Sequence, residues 1–234
     1  MAGNLKKLVI GTAQFGQDYG ITNTRGKVPE NEVLEILSKA RFHGIKTLDT
    51  ARAYGDSENV LGKAGIDDFD IITKLPSFES VLSGMEDFYD GSLKSSLSNL
   101  QIPSIDTVLL HRPEELLRAN GPLIFRSLAS LRDKGLVKKI GISIYSPEIL
   151  ADIISKYSID VVQAPLNIFD RRMISSGWLK KLVDKNICFI ARSVFLQGIL
   201  LANPIDLPVY FHKWDLHFEK WINWKDSSNY IFYE

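Results

Sequence analysis

The chain has a single cysteine in 234 residues, Cys188. That excludes an intrachain disulfide framework and suits a reducing compartment. Cys188 lies in the apolar run Ile187-Cys-Phe-Ile190, where a buried, inert thiol is expected rather than a nucleophile. Net charge is also lacking, because Lys plus Arg and Asp plus Glu number 28 each. No global field draws the protein to nucleic acid or to an anionic membrane surface. An anionic ligand must therefore be held by local geometry. Long apolar runs are missing too: none reaches the roughly 18 residues that a membrane helix needs. The opening MAGNLKKLVIG lacks the apolar stretch of a signal peptide. A cytoplasmic protein without membrane or nucleic-acid partners is the expectation.

What is present is a recurring alternation. Short apolar runs read as strands: Lys7-Leu-Val-Ile-Gly11, Ile45-Lys-Thr-Leu-Asp49, Phe69-Asp-Ile-Ile-Thr73 and Ile105-Asp-Thr-Val-Leu-Leu110. Lys139-Ile-Gly-Ile-Ser143, Ile159-Asp-Val-Val-Gln163 and Ile187-Cys-Phe-Ile-Ala191 follow. They are β-branched or Leu-rich and nearly continuous, which suits parallel strands covered on both faces. Between them lie helical patterns. Residues 29–40 open with Pro29 and acidic residues, carry the stripe Val33, Leu34, Leu37 and Ala40, and end before Gly44. Residues 92–100 and 123–136 repeat the three- and four-residue spacing. Ser146-Pro147-Glu148 reads as a cap followed by proline, opening a helix with Ile149, Ile153 and Ile154 on one face. Seven such units with no linker predict one domain over residues 1–234, either a (β/α)₈ barrel or a doubly wound sheet.

Polar residues at strand ends favour the barrel. Asp49 ends the second strand in LDTARAYG with Tyr54 just beyond, Lys74 ends the third in IITKLP, and His111 ends the fourth in VLLHRP. A barrel gathers those ends on one rim, whereas an open sheet spreads them along an edge. The set makes chemical sense. A tyrosine with an ordinary pKa near 10 needs help to act as an acid at neutral pH. A neighbouring lysine, held charged by a carboxylate, is expected to lower that pKa, and an imidazole can orient a carbonyl.

LDTARAYGDSE, ITKLP and LLHRP, followed by IGISIYS, VVQAPLNIFDRR and ARSVFLQGIL, resemble the aldo-keto reductase signature over residues 7–201. The resemblance implies a barrel of that type and NAD(P)H-dependent reduction of an aldehyde or ketone to an alcohol. It makes Tyr54 the proton donor, gives Asp49 and Lys74 the task of tuning it, and has His111 orient the carbonyl. It also implies a nicotinamide cofactor, NADP(H) ahead of NAD(H). Gly11 and Thr12 match the segment beneath the nicotinamide, and Asp49 lies beside it. Ser143 and Gln163 match its carboxamide contacts, and Arg192 the side chain that stacks on the ring. Residues 193–198, with Ser193, Phe195 and Gln197, match the loop that wraps the pyrophosphate with backbone amides.

Two departures stand out. Ile144 replaces an asparagine of many members, and nothing matches the segment that grips the 2′-phosphate. A barrel incomplete at its eighth βα unit is therefore expected. The terminal NYIFY is a candidate for the eighth strand, and a prematurely ended gene is one explanation. Exposed barrel edges would then favour self-association. A non-catalytic remnant is the alternative reading, and a Schiff-base aldolase using Lys74 a third. Gly11-Thr-Ala-Gln-Phe-Gly16 is no G-x-G-x-x-G fingerprint, and His212 and His217 lack a metal-binding partner pattern, so no metal site is expected. His43 reads as a helix-end residue, and Trp214, Phe218, Trp221 and Ile222 as a core stripe.

Overall fold

The computed structural model of the chain describes residues 7–78, 84–203 and 206–227. Its strands are β1 (Val9–Gly11), β2 (Thr47–Asp49), β3 (Asp70–Leu75), β4 (Ile105–Leu110), β5 (Val137–Ser143), β6 (Val161–Pro165) and β7 (Cys188–Arg192). The helices are α1 (Ala13–Gly16), α2 (Glu30–Phe42), α3 (Ser57–Ala64), α4 (Met85–Leu100), α5 (Gly121–Asp133), α6 (Leu150–Lys156), α7 (Arg172–Ser175), α8 (Trp178–Asp184) and α9 (Asp215–Ser227). All seven strands are parallel and pair in sequence order, β1 to β7.

The sheet curls. β2 and β6 lie four strands apart, which in a flat sheet means about 19 Å at roughly 4.8 Å per strand. Yet Gln163 Nε2 on β6 donates to Asp49 Oδ1 on β2 at 3.0 Å. Only a sheet bent into a partial barrel brings those strands together. The hydrophobic interior divides accordingly. Ile72, Leu109 and Val161 form a small buried cluster with Val9 and Ile190, one residue each from β3, β4, β6, β1 and β7, which fills the barrel. A larger cluster, including Leu37, Leu48, Leu61, Leu93, Val108, Ile124, Ile142, Ile153 and Leu182, packs the strands' other faces against the helices. Gly141 on β5 lets neighbouring strands approach this interior. A β-carbon there would strike the Val161 carbonyl oxygen and lie 2.6 Å from Leu109 Cδ2. The doubly wound alternative is thereby excluded: the architecture is an α/β partial barrel, with seven βα units among the described residues. Among the described residues the outer edges of β1 and β7 carry no strand, and the NYIFY candidate lies outside those residues.

Local signals explain the elements. α2 has Pro29 in extended geometry at its N-cap, Glu30 and Glu32 in the first turn, and Lys39 and Arg41 in the last. Those charges match the helix dipole. His43 is its C-cap, as the helix-end reading has it, and Gly44 follows at φ +71°. Of the stripe, Val33, Leu37 and Ala40 are buried while Leu34 is half exposed.

Several expectations need correction. α4 begins at Met85, seven residues before the apolar stripe was read, because Gly91 interrupts the pattern. Ser146 makes no capping hydrogen bond. A 3₁₀ turn, Pro147–Ile149, intervenes before α6, and the Ser146 hydroxyl is buried without a partner. Cys188 is exposed, not buried. It opens β7, whose residues are all at least partly exposed, because among the described residues nothing pairs with the far edge of that strand. The aromatic stripe also splits. Trp214 closes a 3₁₀ segment before α9, and of the four only Phe218 is buried, against Ile199 and Leu207.

Candidate active site

β2 carries the centre of the site. Asp49 is its last residue, nearly buried, and its backbone carbonyl accepts hydrogen bonds from both the N–H (2.9 Å) and the hydroxyl (3.1 Å) of Thr12. Thr12 Oγ1 also meets Ser57 Oγ at 2.9 Å, and Ser57 reaches Thr50 Oγ1 at 3.1 Å. This buried hydroxyl cluster ties β1, β2 and α3 together beneath the rim. Beyond β2 the chain turns at Ala51–Tyr54 and passes Gly55 at φ +54°. Gly16 lies against that turn, where any β-carbon would run into the Tyr54 carbonyl oxygen. Tyr54 is thus placed by a glycine contact from α1 as well as by its own loop.

Lys74, the penultimate residue of β3 rather than its end, is 1% exposed. Its Nζ donates to Asp49 Oδ1 at 2.7 Å and to the Thr50 carbonyl at 2.9 Å. It also lies 4.8 Å from the centroid of the Tyr54 ring. His111 follows β4 and stands edge to face with Tyr54, ring centroids 6.4 Å apart and planes at 87°. The four residues predicted to act together are therefore adjacent, and three strands deliver them.

Their electrostatics differ from expectation in one respect. Burial drives the Tyr54 hydroxyl above the ordinary tyrosine pKa, with Asp49 and Tyr145 adding and Arg192 opposing. The predicted lowering by Lys74 does not prevail, because Asp49 offsets the ammonium at 2.7 Å. Burial also pulls Lys74 below its usual value, against the attraction of Asp49. His111 is depressed by burial first and then by the charges of Lys74 and Arg192. Near neutral pH this leaves a protonated tyrosine beside a neutral imidazole.

The residues matched to cofactor binding gather on the β1, β5, β6 and β7 side. Ser143 Oγ donates to Gln163 Oε1 at 3.1 Å, and Gln163 joins them to Asp49. Gly11 is exposed, with open space where a side chain would be. The Thr12 hydroxyl is instead buried in the cluster described above. Arg192 donates from Nη2 to the Ile144 carbonyl at 3.0 Å and lies over the Tyr145 ring at 4.3 Å, while its buried Nε has no partner. Ile144 is fully buried, so its side chain adds no polar contact. Ser193, Leu196, Gln197 and Gly198 all have positive φ, a backbone form that turns successive N–H groups to one side. Of these, Leu196 and Gly198 donate to the Ser193 and Phe195 carbonyls, while Phe195 and Gln197 are exposed. An orphaned guanidinium nitrogen and a left-handed turn at the end of β7 fit an extended anionic cofactor. Among the described residues no three His, Cys, Asp or Glu side chains are grouped to hold a metal.

A cavity of about 410 Å³ opens beside Lys74 and His111, lined also by Arg52, Ala53, Pro76, Ser77, Arg112 and Tyr145. Sequence reading passed over Arg52, Arg112 and Tyr145. The available signal was their position, since each lies within three residues of a strand end that was singled out.

The sequence profile of the Aldo/keto reductase family matches residues 7–224, nearly the whole chain. The chain belongs to that family. Among curated relatives, the oxidoreductase YqkF of Bacillus subtilis is 27% identical over 214 residues, covering 86% of this chain and 69% of its own length. An aldo-keto reductase of a Mycobacterium species is 29% identical over 189 residues, covering 76% and 64%. The chain thus spans about two thirds of the length of these relatives. Among solved structures, an aldo-keto reductase from Pseudomonas aeruginosa superposes with a TM-score of 0.68 at 23% identity, covering 88% of this chain and 79% of that one. One from Bacillus halodurans, in its holo form, gives 0.67 at 22% identity, covering 87% and 66%. At these identities the superpositions speak for the fold alone. Among the described residues of this family member, no helix is long and apolar enough to cross a membrane.

Proposed function

We propose that the protein is a carbonyl reductase in which Tyr54 gives the proton to the carbonyl oxygen of an aldehyde or ketone. The observation that carries this is the joining of Asp49, Lys74, Tyr54 and His111 into one contact chain at the mouth of the partial barrel. A bound nicotinamide cofactor, NADPH in preference to NADH, would supply hydride to the carbonyl carbon. Ser143 and Gln163 would hold its carboxamide, Arg192 its ring, and the backbone of residues 193–198 its pyrophosphate. His111 donates an N–H to the carbonyl oxygen and fixes its approach to Tyr54. Tyr54 stays protonated until negative charge develops on that oxygen, then passes its proton across. Lys74 and Asp49 take up the change, because the buried ammonium stabilises the phenolate left behind. The Schiff-base reading fits less well. Lys74 is fully buried, and two of its three N–H donors are committed to Asp49 and Thr50.

Residues 1–234 are proposed to act as one domain, in the cytoplasm, on a small-molecule carbonyl compound. The reaction is tested by incubating the protein with cofactor deuterated at the transferable position and a panel of aldehydes. Deuterium in the product alcohol by mass spectrometry is expected. An absence of label across the panel, with saturable cofactor binding seen by tryptophan fluorescence, would refute reduction. An absence of binding up to millimolar cofactor would instead support the non-catalytic alternative.

A further inference from the structure

Left-handed backbone in the described chain concentrates at one place. Five non-glycine residues have positive φ, and three of them, Ser193, Leu196 and Gln197, lie in the loop after β7. Such conformers persist only where the surroundings over-determine them. At Ser193, φ +53°, part of those surroundings is a side chain from the loop after β6. The two strands pair as far as Pro165 beside Arg192, and one more backbone bond follows, from the Leu166 N–H to the Arg192 carbonyl at 3.1 Å. The next rung is made by a side chain. Asn167 Nδ2 donates to the Ser193 carbonyl at 3.0 Å, which also accepts from the Leu196 N–H at 2.9 Å. The amide fits in this orientation alone, because Asn167 Oδ1 accepts from the N–H groups of Phe169 at 2.9 Å and Asp170 at 2.8 Å. The far end of the loop is held by the chain between α1 and α2. There the Ile21 N–H donates to the Gln197 carbonyl at 3.2 Å, and a β-carbon on Gly198 would strike Thr22 Oγ1. Across a trans peptide the carbonyl and the following N–H point opposite ways. Asn167 is buried and Val194 is exposed, so drawing the Ser193 carbonyl toward Asn167 turns the Val194 N–H outward. That is the form in which a left-handed turn offers its N–H groups to an anion.

We propose that Asn167 is a positioning residue for cofactor binding: its amide holds the Ser193 carbonyl inward and so keeps residues 193–198 in the form that presents N–H groups to the pyrophosphate. The assignment rests on the cofactor reading of that loop and names what preorganises it. Asn167 itself touches neither cofactor nor substrate. Without its bond the Ser193–Val194 peptide is released to rotate, and ordering it again costs affinity. Two variants separate this role from the local fold. Asn167→Asp keeps the shape and both acceptor bonds but sets an oxygen against the Ser193 carbonyl. Asn167→Ser keeps an acceptor for the N–H two residues on but is too short to reach Ser193. Each is titrated calorimetrically with NADPH and with 2′-phospho-ADP-ribose, which carries the same pyrophosphate without the nicotinamide. Both variants should bind both molecules about tenfold more weakly, as for one lost charge-assisted hydrogen bond. KM for NADPH should rise alike while kcat stays within about twofold, since the loss is in binding and not in the transition state. Unchanged affinities, or a loss for NADPH alone, would overturn the assignment while leaving cofactor binding standing. Unfolding of both variants would also overturn it, because Asn167 would then hold the fold and not the loop; if one unfolds, the other decides. If the unaltered protein binds neither molecule, the cofactor reading fails and this assignment with it.

Discussion

Replacing Asp49 with Asn tests the buried pair on which the site is built. The substitution keeps the shape and an acceptor oxygen but removes the charge facing Lys74 Nζ at 2.7 Å. Lys74 is 1% exposed and the Asp49 side chain 12%, so water cannot replace the lost partner. Breaking such a pair from one side costs about 3–5 kcal/mol. An independent bound agrees. The lysine escapes by shedding its proton, and at pH 7 that costs at most about 5 kcal/mol, at roughly 1.36 kcal/mol for each pH unit below its ordinary 10.5. Stability of Asp49→Asn should therefore fall by about 3–5 kcal/mol in urea unfolding followed by tryptophan fluorescence, with an unchanged slope. The pH dependence follows with a definite sign. Lys74 has a folded pKa below its unfolded one, so between the two the unfolded chain binds the extra proton and stability rises with pH. In Asp49→Asn, which has lost the carboxylate that supports the ammonium, that window widens, and the deficit should shrink as pH approaches 10.5. Adding Lys74→Met should restore much of the loss, since it removes the orphaned charge. A deficit below about 1 kcal/mol, or full additivity of the two substitutions, would refute the buried-pair account.

Three further outcomes are expected. Gly141→Ala should lower stability by roughly 2–3 kcal/mol through overpacking between β4 and β6, given a β-carbon 2.6 Å from Leu109 Cδ2 and 2.9 Å from Val161 Cβ. An unchanged urea midpoint would contradict the packing described. The kcat/KM for carbonyl reduction should not fall as the pH is lowered to 6.5, because His111 titrates below its ordinary value, and any alkaline decline should come from Lys74, whose pKa lies below 10.5, and not from Tyr54, which titrates above its ordinary value. Tyrosinate absorbance that appears near pH 8 in the native protein and is lost in Tyr54→Phe would show that Lys74 lowers the Tyr54 pKa after all. Cys188, exposed at the start of β7, should react with Ellman's reagent in the native protein about as fast as a free thiol. Labelling only in denaturant would place another element over that strand.

Strand order, the parallel sheet and the meeting of Asp49, Tyr54, Lys74 and His111 were legible in the sequence. Continuous apolar runs identify parallel strands, and reactive residues at successive strand ends make sense only on a shared rim. What was hidden depends on neighbours remote in sequence. The exposure of Cys188 follows from what lies beside β7, which the run Ile187-Cys-Phe-Ile190 cannot report. The direction of the Tyr54 shift differs from the expectation because burial, which the sequence does not report, outweighs the lysine, and the carboxylate expected to keep that lysine charged itself raises the Tyr54 pKa. Ser146 looked like a cap by composition, but the 3₁₀ turn after it leaves its hydroxyl without a partner. Arg52 and Arg112 were overlooked because isolated arginines in loops read as solvated charge. Only the curling of the sheet shows that they share one cavity.

The central claim is that Tyr54 gives the proton in carbonyl reduction, and Tyr54→Phe tests it most directly. The hydroxyl is removed while the ring that packs over Lys74 and against His111 is kept. The account predicts that cofactor binding, followed by tryptophan quenching, stays within about threefold, while kcat on the best aldehyde falls by about 10²–10⁴-fold, the range for losing a positioned general acid. Near-native turnover in Tyr54→Phe would contradict it.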